Sequence, residues 1–162
     1  MKRLIGTIVN NRYQIRSMLG IGGMSVVFRA YDLMEDREVS LKVLRSDKFG
    51  DQESRRRFYN ESRAIALMSH PNIVNVHDVN FEGRLQYIVM EYVDGVTLKD
   101  RMDQKGALSS EEAIHYLRQI LSALSHAHER GVVHHDIKPE NILLDCKHEP
   151  KISDFGTSRF DS

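Results

Sequence analysis

The chain has 162 residues, of which 41% are apolar and 28% charged, and it carries 23 basic and 23 acidic side chains. This composition excludes a disordered or fibrous protein, and the balanced charge favours neither nucleic acid nor an anionic membrane as a partner. The one cysteine, Cys146, excludes an intramolecular disulfide framework and indicates a reducing compartment. The first residues do not fit the pattern of a secretory signal, and no apolar run reaches roughly 20 residues. We therefore expect a cytoplasmic chain without a membrane segment, although a longer parent protein could carry an anchor elsewhere.

The first half of the sequence predicts an antiparallel sheet with one helix. Strands are predicted at residues 13–19, 25–31, 39–43, 74–79 and 85–93, and within 25–31 and 39–43 the side chains of the two faces alternate as in half-buried strands. A helix is predicted over about 53–68, and it ends near Pro71 because proline cannot continue a helix. Asp94-Gly95 then predicts a hinge between this strand-rich half and a helical half.

The second half predicts one long helix, at about residues 110–130. Ser109 and Glu112 fit a capping box at its start, and Gly131 fits a C-terminal stop. Its apolar residues recur at helical spacing and are predicted to share one face: Ala113, Ile114, Leu117, Ile120, Leu121, Leu124 and Ala127. Two short strands are predicted after it, at 142–144 and 151–152.

A glycine-rich turn separates the first two predicted strands, in the run Gly20-Ile21-Gly22-Gly23-Met24-Ser25. Glycine lets a backbone approach a phosphate closely and point its amide hydrogens at it. The turn is not a Walker A loop, because no Gly-Lys-Ser/Thr follows. Taken alone, an ordinary hairpin turn is the commoner explanation.

Lys42 and Glu61 together indicate a functional site more strongly than the glycine-rich turn does. Alone, Lys42 is explained as a solvent-facing residue of an amphipathic strand. Glu61, however, falls on the same helical face as Phe58, Ile65 and Met68, where an unpaired carboxylate is costly. We therefore expect Lys42, on the sheet beneath the helix, to be its partner.

The run His134-His135-Asp136-Ile137-Lys138-Pro139-Glu140-Asn141 and the later Asp154-Phe155-Gly156 carry the groups that phosphoryl transfer requires. An aspartate can accept the proton of the attacking hydroxyl, and a lysine can meet the developing phosphate charge. Side-chain oxygens of asparagine and aspartate are ligands that magnesium prefers. Each motif alone could be ordinary surface, but their joint order is hard to obtain by chance.

From about residue 13 to its end, the sequence resembles the ATP-binding and catalytic-loop portion of a serine/threonine protein kinase. Val39-Ser40-Leu41-Lys42 is similar to the family's Val-Ala-Ile-Lys, and the Gly-Gly-Met-Ser turn is similar to the loop of bacterial members. The resemblance implies an α+β fold. Residues 13–93 would form an N-terminal lobe of five antiparallel strands and one helix, and 94–162 an incomplete helical C-terminal lobe.

The resemblance also implies the ligands ATP and Mg²⁺, a protein substrate with a Ser or Thr hydroxyl, and a role for each site residue. Asp136 would be the catalytic base assisted by Lys138, and Asn141 and Asp154 would bind magnesium. Glycines 20, 22 and 23 would lie over the phosphates, and Lys42 would hold them while pairing with Glu61. The adenine slot would be formed by Leu19, Val27, Ser40, Leu143 and Ser153, with Met90 as the gatekeeper at its back. Backbone groups of Glu91 and Val93 would hydrogen-bond the adenine edge. The glycines over the phosphates would be Gly20, Gly22 and Gly23.

Three positions depart from the family pattern. Ser25 stands at the third glycine of the turn, and Ser40 replaces the alanine beside the adenine. His135 replaces the arginine that usually precedes the catalytic aspartate. Since histidine is only partly charged near neutral pH and lacks the bidentate fork, we expect activation-loop phosphorylation to matter little here.

Alternatives to an active kinase remain at this point. The sequence ends six residues after Gly156 and lacks the family's activation segment, so we expect either a fragment of a longer protein or a truncated product. A non-catalytic nucleotide-binding or interaction module is the second hypothesis, and a small-molecule kinase is a weaker third, disfavoured by Lys138-Pro139. A zinc site at His126, His128, His134 and His135 is disfavoured because no metal-binding frame accompanies these histidines.

Overall fold

The structure is a computed structural model that describes residues 2–48, 50–133, 137–153 and 159–160. By its internal contacts the chain divides into two units. Unit 1 comprises residues 1–62 and 76–92, and unit 2 comprises residues 63–75 and 93–162.

Unit 1 is built on a six-stranded sheet in the order β1-β2-β3-β4-β6-β5. All neighbouring strands are antiparallel. The strands are β1 (Ile8–Val9), β2 (Tyr13–Ile21), β3 (Ser25–Asp32), β4 (Arg37–Leu44), β5 (Val76–Asn80) and β6 (Tyr87–Glu91). The five predicted strands are confirmed, and β1 is a sixth that is too short to show an alternating pattern.

The core of unit 1 lies on one face of this sheet. Along β4, Val39, Leu41 and Val43 are fully buried, whereas the intervening Ser40 and Lys42 are only half-buried. Successive side chains of a strand point to opposite faces, so the alternation assigns these two sets to opposite sides of the sheet. The buried face continues across the sheet in one apolar cluster that includes Tyr13, Ile15, Phe28, Ala30, Tyr87 and Val89.

A buried ion pair ties β2 to the end of β3. Arg12 Nε and Nη2 lie 2.8 and 2.9 Å from the two carboxylate oxygens of Asp32, which is 1% exposed. The hydrogen bond from Arg12, against the opposing effect of burial, lowers the pKa of Asp32 to about 2. The carboxylate also accepts from the backbone N–H groups of Met34 and Glu35, so it organises the β3–β4 turn.

Helix α1 (Gln52–Ala66) follows the predicted helix closely. Phe58, Ile65 and Met68 are all buried, as their spacing predicted. The chain leaves the helix through Leu67 and Met68, whose backbone N–H groups bond three residues back to Ala64 and Ile65. The helix thus ends before Pro71, in agreement with the restriction that proline imposes on the preceding backbone.

Unit 2 contains two helices of its own and several short strands. The helices are α2 (Leu98–Lys105) and α3 (Ser110–Glu129). The strands are β7 (Val96–Thr97), β8 (Val132–Val133), β9 (Ile142–Leu144), β10 (Pro150–Ile152) and β11 (Arg159–Phe160). They form a three-stranded sheet, β10-β9-β7, and the pair β11-β8.

Helix α3 begins and ends near the residues that the sequence indicated. The Ser109 side chain accepts a hydrogen bond from the backbone N–H of Glu112, and Gly131 adopts a φ of 73° just after the helix. A positive φ at this position favours glycine, which explains the stop. Glu112 extends its carboxylate to Arg101 of α2.

The predicted apolar face of α3 is only partly buried. The buried residues of this helix are Tyr116, Ile120, Ala123 and Ala127. Ile114, Leu117 and Leu121 are 51%, 54% and 55% exposed, so they do not share the buried face of Ile120 and Ala127. The predicted apolar residues thus lie along one side of the helix as two neighbouring stripes, of which only one is covered in the described chain.

Gly95 is required by a close approach of two backbones within unit 2. A Cβ added at this position would lie 1.8 Å from the carbonyl oxygen of Leu144. Residue 96 pairs with Leu144 in the β7–β9 ladder, which brings the two segments together. The structure therefore gives Gly95 a packing role, while the predicted hinge stays a prediction.

In the described ranges, none of the helices has the length and apolarity needed to cross a bilayer.

Candidate nucleotide-binding site

Four of the predicted site residues lie on the face of the unit 1 sheet opposite the apolar core. Val27 is directly paired with Lys42, and Ser40 is directly paired with Met90. Paired residues of antiparallel strands share a face, and so do residues two apart on one strand. All four side chains are half-buried. The sheet therefore brings together three predicted adenine-slot residues and the predicted phosphate-binding lysine.

The glycine-rich turn joins β2 to β3 at the edge of this face. Its backbone is closed by a hydrogen bond from Gly22 N–H to Ser25 O of 2.8 Å. An added Cβ at Gly20 or Gly23 would meet nothing within 4 Å, and neither residue has a positive φ. Packing within the chain thus does not require glycine at these two positions. They leave open space that a close-approaching ligand can use.

Arg45 supports this turn and was missed by the sequence analysis. Its Nη1 donates to the carbonyl oxygen of Gly22 at 3.2 Å, and its backbone N–H donates to Met24 O at 2.9 Å. Its guanidinium also bonds Asp47. Arg45 reaches the turn because the register of β3 against β4 places it opposite Met24. The sequence does not show this register, so it gave no sign of the role of Arg45.

Lys42 and Glu61 meet in unit 1. Lys42 Nζ lies 3.8 Å from Glu61 Oε2, and the two side chains are only 17% and 13% exposed. Each lies on a regular element, the lysine on β4 and the glutamate on α1. The predicted pairing is confirmed. Both groups are largely removed from water, so the pair holds the lysine ammonium in place on the half-buried face of the sheet.

Unit 2 holds a second set of predicted residues around β9. Asn141 is buried, its backbone N–H donates to Lys138 O at 2.9 Å, and its carbonyl accepts from both the N–H and the hydroxyl of Ser153. Lys138 is exposed and precedes a single turn of 3₁₀ helix, Pro139–Asn141. Leu143 pairs with Lys151 and Thr97 within the three-stranded sheet. Asn141 and Ser153 are thus fixed together by the backbone of this loop.

Two of the predicted adenine-slot residues lie near strand ends of unit 1, and a third belongs to unit 2. Leu19 is about half exposed near the end of β2, Glu91 is the last residue of β6, and Val93 is a half-buried residue of unit 2. Asp136, His135 and Asp154 lie outside the described residues. The structure describes the two sets of site residues within their own units, so their convergence on one nucleotide stays a prediction.

The described residues fit ATP and magnesium by their chemistry. Unit 1 provides a half-buried cation, Lys42, on the same face as apolar side chains, beside a turn with open space at Gly20 and Gly23. This combination suits an aromatic base attached to phosphates. In unit 2, Asn141 supplies an amide oxygen donor in a buried position, which suits a hard divalent cation that also has a carboxylate ligand.

Comparison with known proteins decides the family. Residues 13–161 match the protein kinase domain family. The chain belongs to this family. Its members generally use ATP and Mg²⁺ and act on protein substrates, and the α+β fold with an antiparallel sheet at the N-terminal side agrees with the assignment.

Several bacterial protein kinases are similar to this kinase-family chain. It is 46% identical over 153 residues to the serine/threonine-protein kinase PrkC of Bacillus subtilis (strain 168), which covers 94% of the chain and 24% of PrkC. It is 44% identical to the probable serine/threonine-protein kinase PknB of Lactococcus lactis, over 96% of the chain and 25% of that protein. It is 41% identical to the serine/threonine-protein kinase PknB of Mycobacterium tuberculosis, over 93% and 25%. The chain spans about a quarter of the length of the curated relatives it matches.

Proposed function

We propose that this chain carries the nucleotide-binding and catalytic-loop residues of an ATP- and Mg²⁺-dependent serine/threonine protein kinase. The observation that carries the proposal is the pairing of Lys42 with Glu61 at 3.8 Å on the half-buried face of the sheet. In a kinase this pair must be in place for the lysine to hold the phosphates. The similarity to proteins named serine/threonine-protein kinases supports the same reading.

Unit 1 binds the nucleotide in this proposal. The apolar side chains Val27 and Met90 flank Ser40 on the sheet face and pack against the adenine, and the backbone of Glu91 bonds its edge. Lys42 neutralises phosphate charge, and Glu61 holds the Lys42 ammonium in place. The turn at Gly20, Gly22 and Gly23 covers the phosphates, and Arg45 stabilises the turn by bonding the Gly22 and Met24 carbonyl oxygens.

The loop residues of unit 2 carry out the transfer. Asp136 orients the substrate hydroxyl and accepts its proton as the oxygen attacks the γ-phosphorus, while the bond from this phosphorus to the β–γ bridging oxygen breaks and ADP leaves. Lys138 offsets the negative charge on the transferred group. Asn141 and Asp154 would hold Mg²⁺, which would supply positive charge to offset that of the phosphate oxygens. The bonds from Ser153 to the Asn141 carbonyl oxygen keep the Asn141 backbone in position.

The proposal is tested by measuring phosphate incorporation from labelled ATP into a generic basic protein, together with thermal stabilisation by ATP and Mg²⁺. Wild type is compared with Asp136→Ala and with a matched control, Asp103→Ala, which removes an exposed aspartate paired only with Lys99 in the described chain. We expect Asp136→Ala to lose about 10²- to 10⁴-fold in rate, the typical contribution of a positioned base, while nucleotide stabilisation persists.

Other outcomes discriminate between the hypotheses. Stabilisation by the nucleotide without incorporation selects the non-catalytic nucleotide-binding module. Incorporation that survives Asp136→Ala contradicts the assignment of the base. If ATP and Mg²⁺ produce no thermal stabilisation and no phosphate incorporation is detected, the proposed function is contradicted.

A further inference from the structure

The loop that follows α1 is attached to helix α3 by side chains that the proposed function does not use. Three residues at positions i, i+3 and i+7 of α3 bond this loop, namely Gln119, Ser122 and His126. Residues at these offsets lie on one face of a helix. We name the loop residues Ser69–Asn72, together with these three α3 residues, the histidine clamp. All of them belong to unit 2.

His126 accepts a hydrogen bond from the backbone of the loop. The N–H of Ser69 donates to His126 Nε2 at 3.2 Å. A ring nitrogen can accept only when it carries no proton, so the neutral ring must hold its hydrogen on Nδ1. Protonation of Nε2 would turn this acceptor into a donor that faces another donor. The bond therefore requires a neutral His126.

His70 is constrained in the same way from the loop side. The N–H of Asn72 donates to His70 Nδ1 at 3.0 Å, so the hydrogen of the neutral ring is on Nε2. His70 Nε2 lies 3.0 Å from the hydroxyl oxygen of Ser122 and donates to it in this tautomer. Asn72 is itself buried, and its side chain donates to Gln119 Oε1 and to the carbonyl oxygen of Pro150. A proton added to His70 Nδ1 would remove the acceptor of a part-buried N–H.

The surroundings of the two rings offer little to offset a positive charge. The ring centroids of His70 and His126 are 5.3 Å apart, so two imidazolium ions would repel each other. In the described part of the chain, neither ring has a carboxylate within 4 Å. Charged or titratable groups on the elements around the clamp include Arg130, which donates to the carbonyl oxygen of His126, and His115, whose Nε2 lies 3.0 Å from Nε2 of the clamp residue Gln119 and 3.7 Å from the Glu149 carboxylate.

We propose that the histidine clamp is a proton-sensitive attachment that holds loop 69–72 on α3 only while His70 and His126 are neutral. Burial, followed by the charge of His126, lowers the pKa of His70. A group whose folded-state pKa is lowered contributes stability that is fully present above its ordinary pKa. That contribution is lost as the pH falls towards the lowered value. Acidification below the ordinary histidine pKa of 6.5 thus loosens the loop that directly follows α1, the helix that carries Glu61.

The test compares the pH dependence of thermal unfolding for the 162-residue chain and a double variant, His70→Asn with His126→Gln. Both replacements keep an oxygen acceptor in place of the ring nitrogen but cannot titrate. The matched control is His128→Gln, which removes an exposed histidine of the same helix that is not part of the clamp. An ordinary histidine changes charge between about pH 7.5 and about pH 5.5. Over this range we expect the melting temperatures of wild type and control to fall clearly more than that of the double variant. An equal loss in all three overturns the proposal.

A second measurement keeps the proposal testable if the double variant does not fold. Nitrogen NMR of the wild-type imidazoles reports the tautomer and the titration of each ring. We expect the neutral ring of His70 to carry its hydrogen on Nε2 and that of His126 to carry it on Nδ1. We also expect the pKa of His70 to lie below the ordinary histidine pKa of 6.5. The exchange protection of the Asn72 amide should fall by up to about tenfold per pH unit between the ordinary pKa of 6.5 and the lowered pKa of His70, because opening takes up one proton in that interval. The opposite tautomers, or a His70 that titrates at or above the ordinary value, overturn the proposal. Neither experiment depends on kinase activity.

Discussion

The sheet of unit 1 and helix α3 of unit 2 both carry regular apolar patterns, yet they are buried very differently. Phe28, Leu41 and their neighbours on the inner face of the sheet are fully buried. On α3 the stripe of Ile114, Leu117 and Leu121 is more than half exposed beside a buried stripe. An apolar side chain stabilises a fold only in proportion to the area that is removed from water. Within the described chain, we therefore expect apolar residues of the sheet to dominate stability and those of the outer α3 stripe to contribute little.

The largest expected effect is that of Phe28→Ala. The side chain is fully buried in the unit 1 cluster, so its removal leaves a cavity among residues that cannot fully collapse. Such a change typically costs about 3–5 kcal/mol of unfolding free energy. Denaturant unfolding measures it directly. A loss of less than about 1 kcal/mol would mean that the sheet face is not a close-packed core.

Gly95→Ala tests a region where burial comes from backbone contact instead of side chains. The added Cβ would meet the Leu144 carbonyl oxygen at 1.8 Å, so β7 and β9 must separate. We expect a loss of about 3 kcal/mol, at the upper end of the usual overpacking range. The matched control is Gly50→Ala, because a Cβ there meets nothing within 4 Å and its φ is not positive. Equal stability of the two variants in thermal unfolding would refute the close approach.

Asp32→Asn tests the ion pair of unit 1 and its pH dependence. The folded pKa of Asp32, about 2, lies below the ordinary 3.8, first because Arg12 donates to the carboxylate. The contribution is therefore fully present above pH 3.8 and is lost as the pH falls towards about 2. From this shift we expect the substitution to cost on the order of 2 kcal/mol at neutral pH and progressively less in acid.

The control for this prediction is Asp47→Asn, which breaks the exposed pair with Arg45. Exposed pairs contribute roughly 0–1 kcal/mol, so this variant should unfold nearly like wild type. The difference in unfolding free energy between wild type and Asp32→Asn should shrink from pH 7 to about pH 2. If it is the same at both pH values, ionisation of Asp32 does not stabilise the fold through its pair with Arg12.

The smallest expected effect is that of Leu117→Ala on the outer stripe of α3. More than half of this side chain already contacts solvent, and alanine has the best helix propensity. We expect a change within about 0.5 kcal/mol in either direction. The comparison with Phe28→Ala is made in the same denaturant titration. A Leu117→Ala cost that approaches the Phe28→Ala cost would show that the outer stripe is covered in solution.

Two kinds of feature could be predicted from the sequence: helix ends, which depend on neighbouring residues, and ion pairs in which a buried charge needs a partner. Gly131 ends α3 because only a positive φ fits there, and Glu61 needed a cation because it lies among buried apolar residues. The Thr97 capping box with Asp100 starts α2, and it was missed although its signal is present in the sequence. Long-range features had no such signal. The bonds of Arg45 to the glycine-rich turn, the approach of Gly95 to Leu144 and the attachment of Ser69 to His126 each depend on a register or a packing that only the folded chain defines.

The central claim, that Lys42 and Glu61 together hold a nucleotide, is tested most directly by calorimetric titration of ATP with Mg²⁺. Wild type is compared with Lys42→Met, Glu61→Gln, the double variant, and Lys99→Met as a control for loss of an exposed lysine. We expect Lys42→Met to weaken binding at least about tenfold, or roughly 1.4 kcal/mol, and Glu61→Gln to weaken it less. The double variant should bind no worse than Lys42→Met, because residues that act as a pair are not additive. Unchanged affinity in Lys42→Met would contradict the account.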